Sequence, residues 1–193
     1  MLAGEGANLV LGGRSREKLE ALEAEVQSSG GRAVVVGVHL AKRHHSVHLA
    51  EAAVEAFGGL DALLFMAHAS APPVADLDPD ACERSVDVNV RGFMYSVGAA
   101  LPAMRDGGGG RVILVSDTSA ERRDPLYGAG LAFSRAFLAA VSREFAPEGV
   151  SAAEVVTGGM HPTNAGRCVA AVREALVGPA GAAGELPTYR AGA

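Results

Sequence analysis

The apolar residues of this chain fall into two kinds of stretch that alternate along its length. "NLVLG", "AVVVGV", "DALLFM", "RVILV" and "VSAAEVV" are short, nearly unbroken apolar runs. Such runs predict strands covered on both faces, because a strand with one wet face alternates apolar and polar residues. Between them lie segments with helical spacing: "REKLEALEAEVQ", "SVHLAEAAVEAF", a long stretch within "PDACERSVDVNVRGFMYSVGAALPAMR", Tyr127 to Phe145, and "GRCVAAVREALV". Gly pairs close the first two, and "GELPTYR" predicts one last strand. Strand, helix, strand at this spacing gives a parallel sheet with helices on both faces, an α/β doubly wound fold. No repeat or long linker divides the sequence, so residues 1–193 are expected to form a single domain. In such a sheet ligands sit beyond the carboxyl ends of the strands, here just after "LLFM", "ILVS" and "EVVT".

The opening "MLAGEGAN" predicts the last turn of a helix closed by Gly, directly ahead of the first strand. Composition narrows the picture without naming a chemistry. A formal charge of −5 with scattered Lys and Arg argues against a nucleic-acid or anionic-membrane partner. The two cysteines, Cys82 and Cys168, stand far apart without a CxxC pairing, which predicts a reducing, cytoplasmic setting and small core roles for both. No apolar run reaches the roughly 18–20 residues of a membrane span, and the start carries Glu and no basic leader.

"DVNVRG", then "RVILVS", then "YGAG" with its helix and "EFAPEGVS" resemble the short-chain dehydrogenase/reductase family in order and spacing, and "GGLDALLFMAHAS" falls where that family has its Asn-Asn-Ala-Gly loop. The resemblance implies a Rossmann-like fold and, for an intact member, NAD(P)-linked interconversion of alcohols and carbonyls. Matched position by position, it also implies losses. The family's first strand and Gly-rich phosphate loop have no counterpart, and Gly107 to Gly110 runs from helix to strand, the wrong order for a phosphate cradle. Arg14 matches the basic position that meets the 2′-phosphate in NADP-preferring members, and it equally reads as a solvated side chain beside a Ser15 N-cap. The Asp after the family's third strand is His39 here, the Asn-Asn-Ala-Gly loop is Phe65, Met66, Ala67 and His68, and the Pro-Gly is Thr157-Gly158.

Of the family's catalytic Asn, Ser, Tyr and Lys, Asn89 and Tyr127 match. Ser116 and Asp117 occupy the Ser-Ser pair, with Asp117 at the usual catalytic position. The Lys position, one helical turn after Tyr127, is Leu131, which can neither acidify a phenol of ordinary pKa ~10 nor bind a ribose. Arg135, a further turn on, reads as a surface charge.

His68, Asp117, Tyr127 and His161 are expected to gather at the strand ends with Asn89 beneath them. That set suits general acid–base chemistry, or is what remains of a decayed cofactor site. "HHSVH" places His44 and His48 on one helix face, but lacks the Glu of a zinc HExxH motif, and no metal is expected. The resemblance further implies a homo-oligomer through the helices containing Asn89 and Tyr127. These readings give a degenerate member without a bound cofactor, acting as a redox-neutral acid–base catalyst on a small molecule or as a non-catalytic partner. The alternative is an NADP(H)-dependent oxidoreductase seen as a truncated sequence.

In the family fold the absent strand lies between the strands formed here by "NLVLG" and "DALLFM". They are expected either to stand roughly 9–10 Å apart with another segment between them, or to close into the order 3-2-4-5-6-7 in family numbering.

Overall fold

The computed structural model describes residues 2–158, 165–179, 181, 184 and 186–191. Its elements follow the sequence pattern: β1 (Asn8–Gly13), α1 (Arg16–Ser28), β2 (Arg32–Gly37), α2 (Arg43–Phe57), β3 (Ala62–Phe65), α3 (Pro79–Val86), α4 (Phe93–Asp106), β4 (Gly110–Asp117), α5 (Thr118–Arg123), α6 (Pro125–Phe145), β5 (Val150–Thr157), α7 (Ala165–Val177) and β6 (Thr188–Arg190). The opening is a short 3-10 turn, Ala3–Glu5, closed by Gly6 in the left-handed region, as its sequence predicts. The expected long helix is broken: α3 and α4 are joined by a π-helical turn over Asp87–Gly92. α5 fills what the sequence leaves as loop, and Ser15 precedes α1 without a side-chain capping bond.

All strand pairs are parallel, and the strands form two separate ladders, β1-β2 and β3-β4-β5-β6. In β4 and β5 the prediction of two covered faces holds. Val112 and Leu114 enter a core with α4 and α6, while Ile113 and Val115 enter a second core with α7. β1 and β3 depart from it, since Leu9, Val10, Leu11, Leu63 and Leu64 are only half-buried. Among the described residues these two strands neither pair with each other nor take another strand between them, so neither of the two expected arrangements is formed. Between them, on the α1 and α7 side, lies a cavity of about 450 Å³, whose lining includes Leu9, Leu22, Val26, Leu64, Val115 and Val172.

With no ladder across that break, the two sheets are joined elsewhere. α2 packs on β1 and β2 and also against α4, whose own strands are β3, β4 and β5. Gly92, at the end of the π turn, sits so close to the loop after β2 that a Cβ there would lie 2.7 Å from Leu40 Cβ. On the opposite face Leu2 packs into the α7 core and Ala3 into the α1 core. Arg111 at the start of β4 donates to the carbonyls of Ala175 (2.5 Å) and Gly178 (2.7 Å), fixing the end of α7 to the sheet.

Gly92→Ala is expected to push the π turn away from Leu40 and to cost about 1–3 kcal/mol, as overpacking does. Urea or thermal unfolding of the variant measures this, and unchanged stability would mean that the seam is not tightly closed.

Candidate functional site

Strand alternation decides how the site is wired. Ser116 lies on the same face of β4 as Val112 and Leu114, the face covered by α6, and it is fully buried. Its Oγ donates to Glu154 Oε1 at 2.6 Å. Glu154 comes from the matching face of β5, is itself buried, and is held by Arg135 of α6 through Nε (3.0 Å) and Nη2 (2.8 Å). Arg135 also donates to Glu121 of α5 at 2.8 Å. The expectation of Arg135 as a surface charge is therefore corrected: its side chain is 31% exposed and joins α5, α6 and β5. Both carboxylates hold the guanidinium in its charged form, above the ordinary arginine range. Ser116 is consequently turned away from the strand end where a substrate would lie.

Asp117 closes β4 and caps α5. Its Oδ1 accepts from Ser119 N–H (2.8 Å), Ser119 Oγ (2.7 Å) and Ala120 N–H (3.3 Å). The backbone N–H of Asp117 donates to the Tyr127 phenol oxygen at 3.1 Å. Tyr127 is buried one turn into α6, a helix begun by Asp124 and Pro125. Asp124 accepts from Tyr127 N–H (3.0 Å) with Oδ1 and from Ala71 N–H (2.7 Å) with Oδ2, so one carboxylate fixes both the helix start and the loop after β3. Burial is the main cause that pushes the Tyr127 phenol above its ordinary value, and the Asp117 N–H partly opposes it.

Asn89 sits in the π turn and is buried. Its amide pairs with both backbone groups of Ala69, accepting at 2.8 Å and donating at 2.9 Å, and also donates to Ser85 Oγ. The side chain thus holds the His68–Ala69 segment in place. Gly130 allows this approach, since a Cβ there would lie 2.8 Å from Asn89 Cβ. His68 is exposed and its ring stands 5.2 Å from that of Tyr127. A cavity of about 10 Å³, lined by Ala67, Asn89, Tyr127 and Leu131 among others, offers room for about one water.

The structure therefore brings His68, Asp117 and Tyr127 together with Asn89 beneath, and turns Ser116 away. His161 lies outside the described residues. Arg14 is exposed at the end of β1, on the other sheet. The three histidines of "HHSVH" begin α2, His45 Nδ1 accepts from His39 N–H (2.9 Å), and no metal-binding cluster occurs among the described residues. Sequence reasoning missed Asp124, Glu154 and Glu121. The signals were present: Asp-Pro at a helix start, and a lone Glu inside the apolar run "VSAAEVV".

A dinucleotide finds only part of a seat. Arg14 stands exposed beyond β1, and Leu131, one helical turn after Tyr127, is buried and offers no cation. Thr157 is committed to β4 and α5, its Oγ1 donating to Ser116 O (2.9 Å) and its carbonyl accepting from Thr118 Oγ1 (3.0 Å). Gly12 and Gly13 lead from β1 into α1, but they belong to the strand itself, paired in register with β2, and form no open phosphate turn. These residues alone do not fit the group.

Comparison with known proteins places the fold. The short chain dehydrogenase family profile matches residues 1–172. An uncharacterized oxidoreductase of Listeria innocua is 30% identical over 155 residues, covering 78% of this chain and 62% of that protein. The chain thus spans less than two thirds of that relative's length. A 3-ketoacyl-ACP reductase from Sinorhizobium meliloti superposes with a TM-score of 0.85 at 19% identity, over 99% of this chain and 91% of that one. An alcohol dehydrogenase from Thermococcus sibiricus, complexed with 5-hydroxy-NADP, gives 0.79 at 19% identity, over 98% and 86%.

Two outcomes are expected. Arg135→Met strands buried Glu154 and should cost about 3 kcal/mol, the lower end for a broken buried pair because Arg135 is partly exposed. Arg135→Met with Glu154→Gln should recover much of that loss in urea unfolding. In an ultraviolet titration, Tyr127 should ionise above pH ~10, the ordinary value. An acid whose folded pKa is raised keeps its full contribution to stability below the unfolded value and loses it as pH climbs through the folded one. Tyr127→Phe should therefore remove a late phenolate transition and flatten the alkaline fall in stability.

Proposed function

Because this chain belongs to the short-chain dehydrogenase family, we propose that it serves carbonyl–alcohol interconversion with Tyr127 as the proton donor. One observation carries this reading. The Tyr127 oxygen accepts the Asp117 N–H, so the phenol's own proton remains to be donated to an oxygen placed at the strand end beside His68. Burial keeps that phenol protonated at neutral pH, which suits the acid role of carbonyl reduction better than the base role of alcohol oxidation. His68, exposed beside it, can pass protons to solvent. Asn89 and Asp124 act as positioning residues: Asn89 holds the loop after β3 to the π turn, and Asp124 holds that loop to the start of the helix that carries Tyr127.

The oxidoreductase names of relatives, and the NADP-type ligand of one structural neighbour, support NADP(H) as the hydride carrier of such a protein. Arg14 agrees with that choice. Since the described residues do not complete a dinucleotide seat, the proton step at Tyr127 is the part of the reaction assigned to them.

Leu131 favours a second reading, in which the same phenol works without hydride transfer on an enolisable carbonyl compound. Fluorescence titration with NADPH, followed by its oxidation in the presence of a panel of ketones and aldehydes, separates the two. The oxidoreductase reading expects saturable binding and turnover. Tyr127→Phe should cut that turnover at least 100-fold, while Leu131→Lys should tighten NADPH binding. No binding of NADPH, together with Tyr127-dependent exchange of ketone α-protons into deuterated water, would overturn it in favour of the second.

A further inference from the structure

α5 links the end of β4 to the start of α6, and it rests on α6 beside the tyrosine. The contact is at Gly128, the residue after Tyr127: a Cβ there would stand 3.4 Å from the Glu121 carbonyl oxygen and 3.7 Å from Glu121 Cγ. Arg135 lies about two turns further along α6. Helix side chains lean toward the N-terminus, so its guanidinium reaches back toward the level of Tyr127. There it donates through Nη1 to Glu121 Oε1 (2.8 Å) and through Nη2 to Oε2 (3.3 Å).

One guanidinium thus serves two carboxylates, and it does so unevenly. Nε and Nη2 turn to Glu154, which is buried and also receives the Ser116 hydroxyl. Glu121 keeps the weaker share and is 29% exposed. The trio as a whole is anionic, and its less neutralised end is the one beside the Tyr127 turn. The other charged groups near the phenol are committed elsewhere. Asp117 Oδ1 caps α5, Asp124 caps α6 and holds Ala71, and the His68 ring stands 5.2 Å away in the loop after β3. Burial does most to keep the phenol protonated, and the Asp117 N–H opposes it. The charges of Asp117 and Glu121 reinforce burial, and that of Arg135 works against them.

We propose that Glu121 is a positioning residue for the reaction: moored by Arg135 against the first turns of α6, its carboxylate holds the proton on Tyr127 until an acceptor oxygen takes it. The role rests on Tyr127 being the proton donor. In that step the Tyr127 O–H bond breaks as the acceptor oxygen gains the proton, and the phenolate then regains one from solvent by way of His68. Glu121 keeps the donor loaded, so carbonyl reduction persists to a higher pH than it would without this charge.

Two substitutions separate charge from packing. Glu121→Gln keeps the side-chain length and an oxygen for Arg135 but removes the charge. Glu121→Asp keeps the charge but draws the carboxylate back by one methylene. The readout is carbon-13 NMR of ring-labelled tyrosine in the chain without substrate or nucleotide. The Tyr127 signal is identified by its loss in Tyr127→Phe, and Tyr95 and Tyr189 serve as internal controls. Glu121→Gln should lower the midpoint of Tyr127 ionisation by roughly half a pH unit or more. Glu121→Asp should leave it nearer the unaltered value, and Glu121→Ala replaces Glu121→Gln should that variant not fold. The alkaline limb of kcat/KM for ketone reduction by NADPH should fall with the midpoint. An unmoved midpoint without the charge, or a larger change in Glu121→Asp than in Glu121→Gln, would overturn the proposal and leave the bridge as a tether. If turnover accompanies that result, the donor role of Tyr127 still stands. A lowered midpoint with neither NADPH turnover nor α-proton exchange would instead overturn the donor role, and the role of Glu121 with it.

Discussion

A parallel sheet coheres because each strand's backbone is bonded on both sides, and here that continuity stops between β1 and β3. The rest of the architecture follows from this interruption. The β1–α1–β2 unit is joined to the remainder mainly through packing, α2 against α4, Gly92 against Leu40 and the short turn at Leu2 and Ala3 wedged between two cores, with an ion pair from Glu5 of that turn to Arg173 of α7 at 3.2 Å. Packing is less directional than a hydrogen-bond ladder. The strands beside the break are the less buried ones, whereas β4 and β5, bonded on both sides, hold almost every side chain out of water.

The candidate site sits on the well-bonded half. Two carboxylates do the positioning there, at different depths. Glu154, gripped by Arg135 and touched by Ser116, fixes the ends of β4 and β5 from inside. Asp124 fixes the start of α6 and the loop after β3 from the strand-end side. Tyr127 stands between these anchors, its oxygen meeting a backbone N–H whose place is set by β4. The phenol thus has a fixed position, and the cation that acts on it, Arg135, is itself held by Glu121 and Glu154. One helical turn further on, buried Leu131 adds no charge, and burial holds the phenol above its ordinary pKa.

The fold was legible because apolar runs and helical spacing are strong, local signals, and they placed every strand from β1 to β6. What escaped was relational. The residue pattern around "DVNVRG" is helical on either side, so the extra residue accommodated as a π turn left no trace in its periodicity. Arg135 looked solvated because a charge on a helix usually is, and its placement is explained by Glu121, 14 residues before it, and Glu154, 19 residues further on. Ser116 was assigned by resemblance to a catalytic pair, while its parity with Val112 and Leu114 already turned it toward the α6 layer. The open sheet was foreseen as a gap, but not that the gap would persist beside a continuous α2–α4 layer.

The π turn at Asp87–Gly92 has a consequence of its own for how this protein tolerates change in length. A π turn holds one residue more than the α-helical turn it interrupts. Removing a single residue there restores a regular helix, and every side chain on one side of the cut then rotates by about 100° relative to the other. Asn89 would leave Ala69, and Gly92 would no longer be the residue facing Leu40. The segment therefore tolerates no change in residue count. Its information is carried in number, and the loop after β3 and the seam between the two sheets are both read from it.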